Sequence, residues 1–137
     1  MIDMKDIYWL AGYLEGEGSF TINRRTNTNK TFRLVVNSTD KDVIAKVGNL
    51  IGSRIHRHNG KNWYRIGNKQ PFSVCVVNRK AIGWMMTLYP LMGERRKARI
   101  KEIILEWRNH SNREQKAFRD PHKQVINPFV TKGMGVE

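Results

Sequence analysis

The segment LAGYLEGEGSF, residues 10–20, concentrates the residue types that could do chemistry. Glu15 and Glu17 stand two apart, so on a helix they face different directions. Residues 4–17 read as that helix, because Ile7, Leu10, Ala11 and Leu14 recur at helical spacing as one apolar stripe. Glu17 then falls at the helix C-terminus, where the helix dipole disfavours an acid by a few tenths to about 1 kcal/mol. Such a carboxylate is either a solvent-exposed acid in a frayed turn or a ligand for a divalent cation, since carboxylate, terminal carbonyls and metal attract one another. The residues alone leave both open. Trp9, Gly12, Tyr13 and Gly16 form a second stripe. Glycine inside a helix costs about 1 kcal/mol relative to alanine, so two at this spacing point to close approach by another backbone. Gly18 suits the helix C-cap.

The chain that must position these groups has 137 residues, one domain's worth, with 39% hydrophobic content and a formal net charge of +13. That is enough apolar material for a core, and an excess of charge that calls for an anionic partner. The charge is unevenly placed. Residues 1–20 hold one base and four acids, residues 21–93 hold 13 bases and two acids, and residues 94–137 hold 11 bases and six acids. A phosphate backbone is expected to lie along the middle of the chain. No apolar run approaches the roughly 18 residues needed to cross a bilayer, and the amino terminus lacks the pattern of a signal peptide. The single cysteine, Cys75, excludes an intramolecular disulfide and a cysteine-built metal site. An intracellular protein with no membrane segment is the expectation.

Residues 19–25 alternate, with Phe20 and Ile22 inward and Thr21, Asn23 and Arg25 outward. Residues 31–37 repeat the pattern, with Phe32, Leu34 and Val36 inward and Arg33, Val35 and Asn37 outward, and Asn27 to Lys30 close a hairpin. Ser38, Thr39 and Asp40 offer caps for a helix at about 41–51, striped by Val43, Ile44, Val47, Leu50 and Ile51 and ended by Gly52. SRIHRH (53–58) and NWYRIG (62–67) flank Asn59-Gly60 as a second hairpin, with Ile55, Tyr64 and Ile66 inward. PFSVCVV (71–77) is the fourth strand, with Phe72, Val74 and Val76 inward. Helices at about 79–89 and 94–109 follow, the second carrying Ile100, Ile103, Ile104 and Trp107. Beyond His110 the sequence turns polar, with Pro121 and Pro128, and reads as an irregular extension: a domain at 1–109 and a tail at 110–137. The fold class is α+β, a four-stranded antiparallel sheet with helices on one face. Its other face carries Asn23, Arg25, Arg33, Asn37, Arg54, His56 and Arg65, a plausible groove reader.

Leu10-Ala11-Gly12-Tyr13-Leu14-Glu15-Gly16-Glu17-Gly18 resembles the motif that names the LAGLIDADG homing endonucleases. Glutamates stand for aspartates at 15 and 17, Gly16 stands for alanine, and the α-β-β-α-β-β-α order over residues 4–109 agrees with the family's saddle-shaped fold. The resemblance implies a site-specific, double-strand DNA endonuclease dependent on Mg²⁺ (or Mn²⁺). One motif per chain implies a homodimer on a long, near-palindromic target, packed through Trp9, Gly12, Tyr13 and Gly16. It implies Glu17 and the Gly16 carbonyl as metal ligands, and Glu15 in helix-end structure. Arg95, where the family commonly has lysine, and Lys97 are the candidate basic helpers. Asn37 or Ser38 would position water. Ser19, Thr21, Asn23, Arg25, Arg33, Asn37, Arg54, His56, His58, Arg65 and Lys69 would contact DNA.

Two other readings share the fold: a DNA-binding regulator without cleavage, and a maturase that binds intron RNA. Phosphate contacts dominate binding in all three, so affinity alone does not separate them. His56-x-His58 puts two imidazoles on one strand face, but without a neighbouring carboxylate or cysteine DNA contact or exposure is favoured over a structural metal. Trp63, Trp84 and Trp107 read as core or sheet residues, and Cys75 as a small strand residue.

Overall fold

The structure, a computed structural model, describes residues 2–26, 29–57 and 70–119. The elements run α1 (Met4–Glu17), β1 (Gly18–Arg24), β2 (Lys30–Ser38), α2 (Lys41–Ile51), β3 (Ile55–Arg57), β4 (Phe72–Val77), α3 (Asn78–Leu88), a 3₁₀ turn (Tyr89–Leu91) and α4 (Glu94–Arg119). Asp3 starts α1, its carboxylate accepting from the Lys5 amide at 3.0 Å. Gly18 ends it in extended backbone (φ −77°), its N–H donating to the Leu14 carbonyl. A β-carbon at Gly18 would lie 2.8 Å from that oxygen, so glycine is needed for close approach rather than for a left-handed turn. Gly52, at φ 72°, supplies the left-handed turn that ends α2.

The four strands pair antiparallel in the order β1-β2-β4-β3. The register aligns Phe20, Leu34 and Val76 in one row, and Val36 and Val74 in another. These side chains are buried, together with Leu10 and Leu14 of α1, Ile44, Val47 and Ile51 of α2, Ala81, Ile82, Met85 and Leu88 of α3, and Ile100 and Ile103 of α4. Each large aliphatic side chain removed from water in this way contributes about 1.5–3 kcal/mol. The helices thus cover one sheet face, as the alternation predicts. Gly48 lets α2 lie close, since a β-carbon there would meet the Ser53 carbonyl at 2.9 Å and Val74 at 3.4 Å. Two compact units divide the chain, Met1–Ile103 and Ile104–Glu137, and the described part of the second is helix.

Several expectations need correction. Helix α4 runs to Arg119 instead of stopping near 109. Residues 110–119 are polar but hold no glycine or proline and are rich in good helix formers, so polarity there does not mean irregular chain. Strand β3, among the described residues, is Ile55–Arg57, and it pairs antiparallel with β4, a pairing that the alternation does not reveal. The Asn59-Gly60 turn, Tyr64 and Ile66 lie outside the described residues. Ile55 faces the helices, with its Cγ1 3.8 Å from the β-carbon position of Gly48, and is 36% exposed. Ile22 is half-buried rather than core. Arg25 lies past the end of β1, its amide donating to the Asn29 carbonyl in the turn.

The start of α3 depends on a residue that alternation does not reveal. Asn78 has φ 52°, and its Oδ1 accepts from the Phe32 amide at 3.1 Å, extending the β2–β4 ladder by one side-chain bond. Asparagine tolerates the left-handed region better than other residues with a β-carbon. Asn78→Ala is expected to lose both the bond and this tolerance, lowering stability by about 1–3 kcal/mol. Asn78→Gly should recover the backbone part only, which urea denaturation of the three proteins would measure.

Candidate functional site

The two motif glutamates occupy different environments. Glu15 is half-buried, and its Oε2 accepts from the Gly93 amide at 3.1 Å. Glu17 is exposed, and its carboxylate takes no hydrogen bond or ion pair from the described residues. The helix end between them is held from outside. Arg96 donates from Nε to the Glu15 carbonyl at 3.2 Å and from Nη1 to the Gly18 carbonyl at 2.5 Å. Arg99 donates from Nε to the Phe20 carbonyl at 3.1 Å. The last carbonyls of a helix lack intrahelical donors, and a cation at the C-terminus satisfies them while opposing the dipole. Gly93 permits the approach, because a β-carbon there would sit 2.7 Å from Glu15 Oε1.

Sequence reading missed Arg96, Arg99 and Gly93. A signal was present: Arg96, Ile100 and Ile103 share helical spacing, so Arg96 extends the buried stripe of α4. A guanidinium on an inward stripe must find acceptors. Arg95 and Lys97 project about 100° to either side of it. Arg95 is exposed, with no ion pair among the described residues. Lys97 lies 3.9 Å from Glu94 and 5.9 Å from the Tyr89 ring centre.

The donor set at 16–17 fits a hard divalent cation: one carboxylate and one helix-end carbonyl, both oxygen. No cluster of three or more His, Cys, Asp or Glu side chains occurs among the described residues.

The second stripe of α1 is open. Gly12 and Gly16 are exposed, with no atom within 4 Å of either β-carbon position. Trp9 and Tyr13 are half-buried and stack with ring centres 5.4 Å apart, and Lys46 Nζ lies 4.0 Å above the Trp9 ring. Tyr8, not singled out from the sequence, adds an exposed ring to this helix.

The open sheet face is built in rows by the register: His56, Ser73 and Asn37; Cys75, Val35 and Ser19; Val77, Arg33 and Thr21; Thr31 and Asn23. Arg33 reaches across the sheet, its Nη2 3.7 Å from Cys75 Sγ. Arg54 is exposed just before β3. Thr31 and Ser73 share these rows, Thr31 half-buried and Ser73 buried at 7% exposure. Arg25 leaves it for the turn, and His58, Arg65 and Lys69 lie outside the described residues. Ser38 Oγ accepts from the Asp40 amide at 3.0 Å, which commits it to the entry of α2 and leaves Asn37 the exposed polar group at that strand end.

The same fold occurs in solved structures. The homing endonuclease I-CvuI, in complex with its target in the presence of Ca, superposes with a TM-score of 0.63 at 17% identity, covering 98% of this chain and 84% of that one. The group I intron-encoded homing endonuclease I-CeuI, complexed with DNA, gives 0.63 at 16% identity, with 94% and 64% covered. The archaeal intron-encoded I-Vdi141I, also complexed with DNA, gives 0.54 at 17% identity, with 95% and 84% covered. No curated protein matches the sequence significantly. The family model for LAGLIDADG endonucleases matches residues 10–98, a span that holds the helix-end glutamates, the whole described sheet and the first turn of α4, and the chain therefore belongs to the LAGLIDADG endonuclease family.

Proposed function

We propose that this chain is a site-specific, double-strand DNA endonuclease acting as a homodimer on a long, near-palindromic target. The observation that carries the reading is Glu17, a carboxylate with no partner among the described residues, at a helix end where the local dipole opposes it and on a helix whose glycine face is open. Residues 1–109 are assigned to the endonuclease domain and 110–137 to an extension. No helix among the described residues is long and apolar enough to cross a membrane, and an intracellular site of action is part of this proposal.

Glu17 and the Gly16 carbonyl are the groups that would hold Mg²⁺ (or Mn²⁺). Bound there, the ion would neutralise phosphoryl charge, acidify water and stabilise the leaving oxygen. The chain's own residues do the rest. Arg95, exposed and unpaired among the described residues, is better placed than Lys97 to offer a cation to the phosphate, because Lys97 is partly engaged by Glu94. Asn37 orients the attacking water by hydrogen bonding. The sheet face sits in the major groove, Arg33 and Asn37 donating to base edges and Ser19, Thr21, Asn23, Thr31, Arg54 and His56 supplying further polar contacts. Packing of two α1 helices through Gly12 and Gly16 brings one Glu17 from each copy towards the centre of the target.

A randomised duplex library offered with Mg²⁺, with a Ca²⁺ binding arm, tests this directly. Glu17→Gln should abolish cutting and keep binding, and a mutant that still cuts removes Glu17 from the metal site. Specific binding without cutting by the wild type would make the chain a regulator, and enrichment of intron RNA alone would make it a maturase. Gly12→Leu is expected to yield monomers by light scattering, whereas an intact dimer refutes the packing role. Arg33→Ala should weaken target binding or relax its specificity by about 1–3 kcal/mol if the contact is to a base.

A further inference from the structure

The grip on the end of α1 has an asymmetry that helix capping alone does not require. The hydrogen bonds of Arg96 fall on the carbonyls of Glu15 and Gly18, the residues on either side of Gly16 and Glu17, and on neither of those two. A third bond, from the Gly93 amide to the Glu15 carboxylate, fixes the same segment from the N-terminal end of α4. The guanidinium also lies over the ring of buried Phe20, 5.8 Å from its centre, which limits the planes it can adopt. Segment 15–18 is therefore clamped at both ends by one rigid, planar group, with its middle left open.

We propose that Arg96 is the positioning residue for the cation site, holding the Gly16 carbonyl and the Glu17 carboxylate in register while making no contact with substrate itself. The proposal deepens the endonuclease reading and rests on it. Arginine suits the task because its planar fork spans two carbonyls at once, whereas lysine offers a single ammonium. A cation coordinated by a carbonyl and a carboxylate loses affinity when either oxygen wanders, and loss of an outer partner commonly costs 10–100-fold in metal affinity or activity. Arg96 also ties the cation site to the helix turn that carries Arg95 and Lys97, so one side chain sets the distance between the carboxylate and the basic helper.

The test compares wild type, Arg96→Lys, Arg96→Ala and Lys101→Ala, the last removing one charge from an exposed position on the same helix. Target DNA selected by the wild type is bound in Ca²⁺ and cut across a Mg²⁺ titration, and amide exchange is read on the free proteins over residues 15–20. Arg96→Lys should bind target within about twofold of wild type, need at least tenfold more Mg²⁺ for half-maximal cutting, and exchange faster at 15–20. Lys101→Ala should match wild type in all three. Arg96→Ala guards against a lysine that happens to bridge both carbonyls. It should show the same Mg²⁺ shift, or, if it does not fold, leave the lysine variant to decide. An unchanged Mg²⁺ midpoint in a folded Arg96 variant, with only its melting temperature lowered, overturns the proposal and makes Arg96 a structural cap. A wild type that cuts no DNA and is indistinguishable from Glu17→Gln overturns the endonuclease reading, and the positioning role with it.

Discussion

Helix α1 ends in carbonyls that no residue within the helix can satisfy, and the surroundings of the candidate site are organised by that deficit. The usual remedy is a left-handed glycine, which is how α2 ends at Gly52. At Gly18 the chain instead goes directly into β1 in extended form, so donors must come from elsewhere. They come from about 80 residues later in the sequence: Arg96 of α4 donates to the Glu15 carbonyl and to the Gly18 carbonyl just beyond the helix, while the Gly93 amide takes the Glu15 side chain. The alternative of filling the deficit locally with a basic side chain on α1 is not taken: the last turn of α1 holds no base, only Glu15 and Glu17.

The acids that begin helices sit at the opposite pole from those two. Asp3 and Asp6 begin α1, Asp40 and Asp42 begin α2, and Glu94 begins α4, all at helix ends whose dipole favours negative charge. Glu15 is compensated by an amide and Glu17 by nothing among the described residues. The same economy of acids leaves the open sheet face without a carboxylate among its described residues, which keeps its potential positive for a phosphate backbone.

Packing explains why this charge distribution is tolerated. The inner face is a contiguous apolar layer of Phe20, Phe32, Leu34, Val36, Val74 and Val76 under the helices, and it does not depend on any ion pair. The described salt bridges, Lys97 with Glu94 and Arg99 with Glu102, join exposed or half-exposed side chains and contribute about 0–1 kcal/mol each. Repulsion on the outer face is thus carried by apolar burial on the inner one.

Much of this was legible in the residues. Period-2 alternation located β1, β2 and β4, apolar residues at helical spacing located α1, α2 and the start of α4, and the motif at 10–18 located the helix end, because these are local properties of side chains on a regular backbone. Residues 110–119 were misread for an equally local reason, polarity being taken for irregularity where helix propensity decided. The partner of β3, the left-handed Asn78 and the grip of Arg96 were not readable in advance. Each joins residues far apart in the chain: β3 to β4 across the undescribed stretch, Asn78 to Phe32 over 46 positions, and Arg96 to Glu15 over 81. The sequence by itself determined which residues face inward and which carry the charge. Only the tertiary structure decided which carbonyl a distant arginine satisfies, because a hydrogen bond depends on where two backbones meet and not on either residue's neighbours in the chain.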